Sequence, residues 1–135
     1  MSLARTIKHF RAVGFREWFH QMMTIGDAKS GKLAGIDQFG NKYYENTEDE
    51  VPGRHRWVDY SAYDFNGSQV PPEWHSWLNH IRTLPPDRDP VVIASRQAWQ
   101  TEHFENLTGT RGAYKPYSST GPKIIAWKPE VAKRK

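Results

Sequence analysis

The sequence predicts an α+β protein of low regular structure: an N-terminal amphipathic helix, a small antiparallel meander, a short Trp-rich helix and a long extended C-terminal segment. Three observations carry this prediction. Residues 32–60, KLAGIDQFGNKYYENTEDEVPGRHRWVDY, hold the only clear strand–turn–strand signal in the chain. Apolar side chains recur at helical spacing near the N-terminus and again around Trp74. From Trp99 onward nothing is periodic, and Pro116, Gly121, Pro122 and Pro129 punctuate an aromatic, basic segment.

Residues 2–24 read as one amphipathic helix. Leu3, Ile7, Phe10, Val13 (or Gly14), Trp18 and Met22 follow one another three to five residues apart, and Arg5, Lys8, Arg11 and Arg16 take the rest of the circumference. Ser2 is the expected N-cap, and Gly26 with Asp27 the expected stop. No acid precedes Glu17, a composition shared with mitochondrial transit peptides, although the segment is expected to be retained. Three environments suit such a helix: a protein partner, an anionic lipid surface, or only its own domain.

In the meander, Leu33 and Ile36 lead into Asp37-Gln38-Phe39-Gly40-Asn41, and Lys42-Tyr43-Tyr44-Glu45 leads out. Gly40 and Asn41 are the residues expected to take positive φ in the turn. Arg56-Trp57-Val58-Asp59-Tyr60 alternates as a half-buried third strand. Asn46–Arg54, with Glu48, Asp49 and Glu50 in succession and Pro52-Gly53 at its end, reads as a solvated loop. So small a meander is marginal in water and must pack on something else.

Past the turn marked by Asn66-Gly67, residues 70–81 read as a short helix with proline in its first turn, where the backbone N–H has no intrahelical partner. Trp74, Trp77, Leu78 and Ile81 share its apolar face, which packs on the meander or anchors a partner. Leu84–Pro90 is a breaker. Asp89-Pro90 resembles an N-cap with proline at N1, so 91–97 forms a short helix or, through Val91-Val92-Ile93, a strand. The organisation expected is an N-terminal helix over 1–26, a compact part over 31–82 and a partner-binding tail over 83–135.

Composition limits what the chain can do. Hydrophobic residues are 37% of 135, below the roughly 45–50% apolar share of an ordinary domain, and aromatics supply much of them. Six Trp, six Tyr, six Phe, nine Pro and ten Gly suit a loop-rich chain that completes its core against a partner. The net charge of +4 is uneven, at +3 over 1–30, −2 over 31–60, −2 over 61–90 and +5 over 91–135. The absence of cysteine excludes disulfides, thiolate metal sites and cysteine nucleophiles. No apolar run approaches the roughly 20 residues of a membrane span.

Tests for catalytic chemistry fail. His75 and His80 are five apart, not the four that puts two ligands on one helix face. Gly26–Lys32 has the wrong glycine spacing for a phosphate loop, and Leu33 stands where Ser or Thr would hold magnesium. No Gly-x-Ser-x-Gly frames a nucleophile. The sequons at Asn66 and Asn106 read as chance matches. Arg54-His55-Arg56-Trp57 and Tyr114-Lys115-Pro116-Tyr117 could stack bases and meet phosphates, but no RNA-recognition signature accompanies them.

Several ordered blocks carry a resemblance: residues 35–46 (GIDQFGNKYYEN), 54–60 (RHRWVDY), 70–78 (VPPEWHSWL), 106–110 (NLTGT), 113–118 (AYKPYS) and Lys123-Ile124 through Trp127. In this order they resemble the family of small accessory subunits of mitochondrial NADH:ubiquinone oxidoreductase (respiratory complex I) that contains alpha-subcomplex subunit 12 and the assembly factor mimitin. The likeness runs from about residue 31 to 129 and is thinnest over 84–97. It implies a non-catalytic, cofactor-free subunit, peripheral on the matrix side of the inner membrane, near the quinone module. The implied partners are other subunits of the complex, including iron–sulfur core subunits, with no nucleic acid or small-molecule substrate; contact with inner-membrane lipid is an expectation that comes from the amphipathic N-terminal helix itself. The block from Asn106 to Trp127 favours the subunit over the assembly factor. Phe10, Trp18, Arg54, Arg56, Trp57, Trp74, Trp77, Tyr114, Tyr117 and Trp127 are the candidate partner contacts.

Overall fold

The computed structural model describes residues 3–118 and 120–133. Ser2, the expected cap, lies outside them. The N-terminal segment is two helices, not one: α1 spans Leu3–Val13 and α2 spans Phe15–Thr24. Gly14 separates them at φ 84° and ψ 167°, a conformation open to a residue without Cβ. The Gly14 amide still donates to the Phe10 carbonyl and the Trp18 amide to the Gly14 carbonyl, both at 3.0 Å. The break brings the Phe10 ring edge-on to Trp18, with centroids 5.5 Å apart. In a continuous helix those residues would be separated by about 12 Å along the axis. Helix α2 stops where the spacing predicts, with the amides of Ile25 and Gly26 both donating to the Gln21 carbonyl and Gly26 at φ 73°.

Three antiparallel strands follow in the order β1 (Lys32–Ile36), β2 (Lys42–Glu45), β3 (Arg56–Asp59). Leu33 pairs with Tyr44 but Gly35 with Tyr43, so Ala34 forms a bulge. In the β1–β2 turn Gly40 takes φ 85°, whereas Asn41, expected to share that role, has no positive φ. Asn41 is buried and acts through its amide. Its Nδ2 donates to Asp37 Oδ2 at 2.8 Å, and its Oδ1 accepts from the Ser61 amide at 3.0 Å. Asp37 also accepts from the amides of Phe39 and Asn41 and from the Tyr43 hydroxyl.

Alternation sends Tyr43, Arg56 and Val58 to one face of the sheet, where α3 (Pro72–Leu78) packs. The Tyr43 ring stacks on Trp74, centroids 4.0 Å apart and 6° from parallel, and Trp77 meets both rings edge-on. A Cβ on Gly35 would lie 2.6 Å from the Trp74 ring, so the strand approaches the indole only because that position is glycine. Each large side chain so enclosed contributes on the order of 1.5–3 kcal/mol. Burial, followed by its bond to Asp37, pushes the Tyr43 phenol pKa far up, so it stays protonated and donates.

The α3 pattern, expected to continue to Ile81, ends at Leu78. His80 adopts the left-handed conformation at φ 59°, with its amide donating to the Trp77 carbonyl and that of Ile81 to Ser76. Ile81 is thereby turned out to solvent instead of joining Trp74 and Trp77. Arg56 fills the space beneath this end. Its guanidinium lies over the Trp77 ring at 4.5 Å, pairs with Glu45 at 2.8 Å and donates to the carbonyls of Trp77, Arg82 and Thr83.

The helix alternative holds after the breaker: α4 spans Pro90–Ser95, with Asp89 accepting from the Val91 amide at 2.9 Å. The Arg82 guanidinium grips the same buried carboxylate through two 2.7 Å hydrogen bonds. A 3₁₀ turn at Gly67–Gln69, capped by Asn66, is the remaining helical element among the described residues. Its Ser68 carbonyl and hydroxyl accept from His103 and from the Asn106 amide, and Gln69 donates to Glu105. The tail is moored there and then runs on without helix or strand among the described residues.

Replacing Gly35 with alanine forces Cβ into the Trp74 ring and should lower stability by about 1–3 kcal/mol in urea unfolding, the usual cost of overpacking a tight site. An unchanged midpoint would contradict the stack. The Arg82 guanidinium holds the Asp89 carboxyl below the usual carboxylate range. A depressed folded-state pKa contributes stability above the unfolded pKa, near 4, and loses it as pH falls through the folded value. Wild type should therefore exceed Asp89→Asn in stability at pH 6, and the gap should close as pH falls toward about 2.

Candidate interaction surface

The acidic loop at 48–50 is exposed at Glu48 and Asp49, as expected of a solvated loop, but Glu50 is enclosed and the loop holds α1 as a latch. Glu48 and Asp49 amides cap onto Asn46 Oδ1, which turns the loop toward the helix. Asp49 receives both of its bonds from Lys8, at 2.8 and 2.7 Å. Glu50, with a side chain 3% exposed, contacts the Arg5 guanidinium and lies 3.8 Å from Lys29 Nζ. Arg5 is also 3.6 Å from Asp27. Burial pulls the Lys29 ammonium pKa below its ordinary value, and Glu50 opposes that shift. Lys29 also donates to the Arg54 carbonyl at 3.1 Å and lies over the Trp57 ring. Asp49 and Glu50 look solvated in a sequence because their partners, Lys8, Arg5 and Lys29, lie far away along the chain.

The same packing turns the polar face of the helical hairpin inward. Fully buried His9 accepts from Arg5 Nε at Nε2, so Nδ1 carries the proton that it donates to Ser30 Oγ at 2.6 Å. Gln21 accepts from the Lys29 amide, and His20 donates to Asp59 at 2.9 Å on the sheet face opposite α3. Leu3, Ile7 and Phe10 on α1 and Phe15, Phe19 and Met23 on α2 are left exposed.

The ten candidate contacts divide accordingly. Tyr114, Tyr117 and Trp127 stand out in solvent, 80–85% exposed, and Arg54 and Phe10 are also exposed. Trp18 is half-buried beneath Phe10 and Phe15. Trp57, Trp74 and Trp77 are buried within the chain, and the Arg56 side chain is 7% exposed. For Trp74 and Trp77 the packing alternative therefore holds, and Arg56 serves an internal network rather than an outward ion pair. Sequence reasoning passed over Phe15, Phe19 and Met23. A single helix puts Trp18 and Met22 on the apolar stripe, and the Gly14 break rotates the other three outward. The mid-helix glycine was the available signal. Trp99, Phe104, Ile124 and Ile125 add to the outward-facing apolar residues of the tail.

Two open grooves lie between these features. One, of about 700 Å³, runs between the β1–β2 turn, the start of α3 and α4, with Trp74, Val92 and Arg96 among its walls. The other, of about 500 Å³, lies beside Arg16, His20 and Lys42. Among the described residues no three His, Asp or Glu side chains converge as metal ligands, and no helix is long and apolar enough to cross a membrane. What this geometry offers is contact area: a folded aromatic body with apolar side chains displayed at both ends.

Comparison with known proteins gives a consistent result. The family profile described as NADH ubiquinone oxidoreductase subunit NDUFA12 matches residues 31–129. The NADH dehydrogenase (ubiquinone) 1 alpha subcomplex subunit N7BM of Yarrowia lipolytica is 40% identical over 134 residues, covering 98% of this chain and 97% of the relative. Alpha subcomplex subunit 12 of Bos taurus is 41% identical over 124 residues, 86% of this chain and 83% of the relative. The human alpha subcomplex assembly factor 2 is 30% identical over 66 residues, 43% of this chain and 39% of that protein.

Neutralising the latch with Glu50→Gln leaves Arg5 and Lys29 facing each other with Asp27 alone. It should cost about 2–3 kcal/mol, below the roughly 3–5 of a fully enclosed pair because Arg5 keeps part of its hydration. Amide hydrogen exchange should rise first in α1, with β2 and α3 remaining protected. Uniform acceleration through the sheet would contradict a local latch.

Proposed function

Because the chain belongs to the NADH:ubiquinone oxidoreductase subunit NDUFA12 family, we propose that it is a non-catalytic accessory subunit of mitochondrial respiratory complex I. The correspondence with the Yarrowia lipolytica subunit over 98% of this chain carries the reading. It sits on the matrix side, peripheral to the inner membrane, on the arm near the quinone module. There it contacts neighbouring subunits, iron–sulfur core subunits among them, while holding no cofactor and binding no small-molecule substrate. The aromatic body is the rigid part, and residues 99–129 tie neighbours together through side chains that find no cover in their own chain. The helical hairpin faces the place where arm meets membrane.

An assembly-factor role is the second reading, favoured by the likeness to human assembly factor 2. That likeness covers 43% of this chain, and the fuller correspondence with the subunits supports the subunit role. Nucleic-acid binding has less support, since Arg56 and Trp57 are enclosed and leave Arg54–Trp57 without a stacking platform.

Affinity purification from mitochondria in mild detergent, followed by a native gel and mass spectrometry, tests the proposal. Migration with the whole respiratory complex at equal stoichiometry is the expected result. Presence only in a partial complex would make the chain an assembly factor, and recovery with RNA would overturn both. Deleting residues 99–135 should reduce the amount of assembled complex but leave turnover intact in the complex that does assemble. Normal amounts of complex with lost turnover would contradict a structural role.

A further inference from the structure

The helical hairpin is amphipathic in the reverse sense of a helix covering a soluble core. Its inward face carries hydrogen-bonded polar side chains, with His9 on Ser30, Arg5 on Glu50, Gln21 on the Lys29 amide and His20 on Asp59, beside half-buried Trp18, whose Nε1 has no hydrogen-bond partner among the described residues. Its outward face is apolar. Leu3, Ile7 and Phe10 recur at i, i+4 and i+7 on α1, and Phe15, Phe19 and Met23 at i, i+4 and i+8 on α2. The two stripes join across the Gly14 break, where Phe10 meets Phe15 at 6.5 Å and Phe15 meets Phe19 at 6.3 Å. The result is one ridge, six residues long, pinned outward by the hydrogen bonds beneath it.

Charge and shape decide what covers the ridge. Every exposed charge on the hairpin is cationic, Lys8, Arg11 and Arg16, while Glu17 is half-buried. Arg11 and Arg16 flank the break and have no ion pair among the described residues. The acidic loop beside α1 is already neutralised, Asp49 by Lys8 and Glu50 by Arg5 and Lys29. None of the six ridge residues lines either groove, so the ridge borders neither of those recesses. A continuous apolar ridge bordered by arginines suits a deformable, negatively charged surface.

We infer that α1 and α2 form an interfacial lipid-binding element. The ridge lies in the plane of an anionic bilayer, its side chains entering about 5–10 Å to the boundary of headgroups and acyl chains. Arg11 and Arg16 meet lipid phosphates. The inference rests on the peripheral placement proposed above and names the residues and the lipid chemistry that would achieve it. Arg5 and Lys8, which the sequence offers as equal members of the basic face, are committed to the acidic loop and take no part.

The test is co-sedimentation of the full chain with vesicles of phosphatidylcholine alone and of phosphatidylcholine with phosphatidylglycerol. Binding is expected only to the anionic vesicles, weakening as salt is raised. Phe15→Ser with Phe19→Ser alters exposed positions, so circular dichroism should be unchanged while affinity falls by about tenfold or more, the loss of two inserted rings. Arg11→Gln with Arg16→Gln should also weaken binding, and it keeps the test open if the serine variant folds poorly. Lys123→Gln with Lys128→Gln should leave binding nearly intact. Failure of the wild type to bind anionic vesicles would overturn the inference. So would binding that survives the phenylalanine changes and disappears with the tail lysines. Retained vesicle binding with loss of the serine variant from the native-gel complex would make the ridge a protein interface. Absence of the wild type from the complex is a separate reading and would overturn the subunit assignment instead.

Discussion

The stack of Tyr43 on Trp74 is the contact on which the rest of the body depends. Three short strands with a bulge in the first cannot hold together in water on backbone hydrogen bonds alone. The stack gives them an apolar face to close on, with Trp77 set edge-on against both rings. It also imposes conditions on its neighbours. Position 35 has no room for a Cβ, Asp37 must accept the phenol proton, and α3 must begin where Pro71 and Pro72 can aim its two tryptophans at the sheet. Arg56 completes the arrangement by bonding the carbonyls at the end of α3 while its guanidinium lies on the Trp77 ring. A cation enclosed by four acceptors and an aromatic face is costly to disturb, since each lost partner leaves charge without compensation.

Around this aromatic body the chain spends its polar groups inward and its apolar groups outward. Asp49 and Glu50 of the acidic loop pair with Lys8 and Arg5 of the first helix. The same contacts that hold α1 in place leave Leu3, Ile7 and Phe10 facing solvent. The tail repeats the arrangement at the other end, moored by His103 and Asn106 to the 3₁₀ turn and then carrying Tyr114, Tyr117 and Trp127 into the open. Exposed aromatics on this scale are a poor design for an isolated domain and a natural one for a component whose outer surface belongs to an assembly. Membership of a family of respiratory-complex subunits gives this physical observation its setting.

Much of the fold was legible in the sequence because its signals are local. The Asp37–Asn41 turn, the stop at Gly26, the prolines at the start of α3 and the Asp89-Pro90 cap each depend on residues within a few positions of one another. The misreadings share one cause. Asn41 reads as a backbone turn residue because nothing local shows that its side chain will reach Ser61, twenty residues on. Ile81 falls on the apolar face by spacing because periodicity does not reveal that His80 takes a left-handed conformation and ends the helix. The N-terminal segment reads as one helix because Gly14 costs a helix only about 1 kcal/mol, which leaves the choice to tertiary contacts.

What the sequence determined by itself was the three-stranded meander, the Trp-rich helix after it and the family, all of which rest on short-range chemistry or ordered motifs. Only the tertiary structure decided which face of each element is inside. Arg56, Trp57, Trp74 and Trp77 look as able to meet a partner as Tyr114 and Trp127 until packing encloses the first four and leaves the other two in solvent. Glu50 looks like a solvated acid until Arg5 and Lys29 close around it. Burial is a property of pairs of segments far apart in the chain. Composition and spacing constrain those pairs weakly, and the gain from enclosing one side chain rather than another exists only once the segments meet.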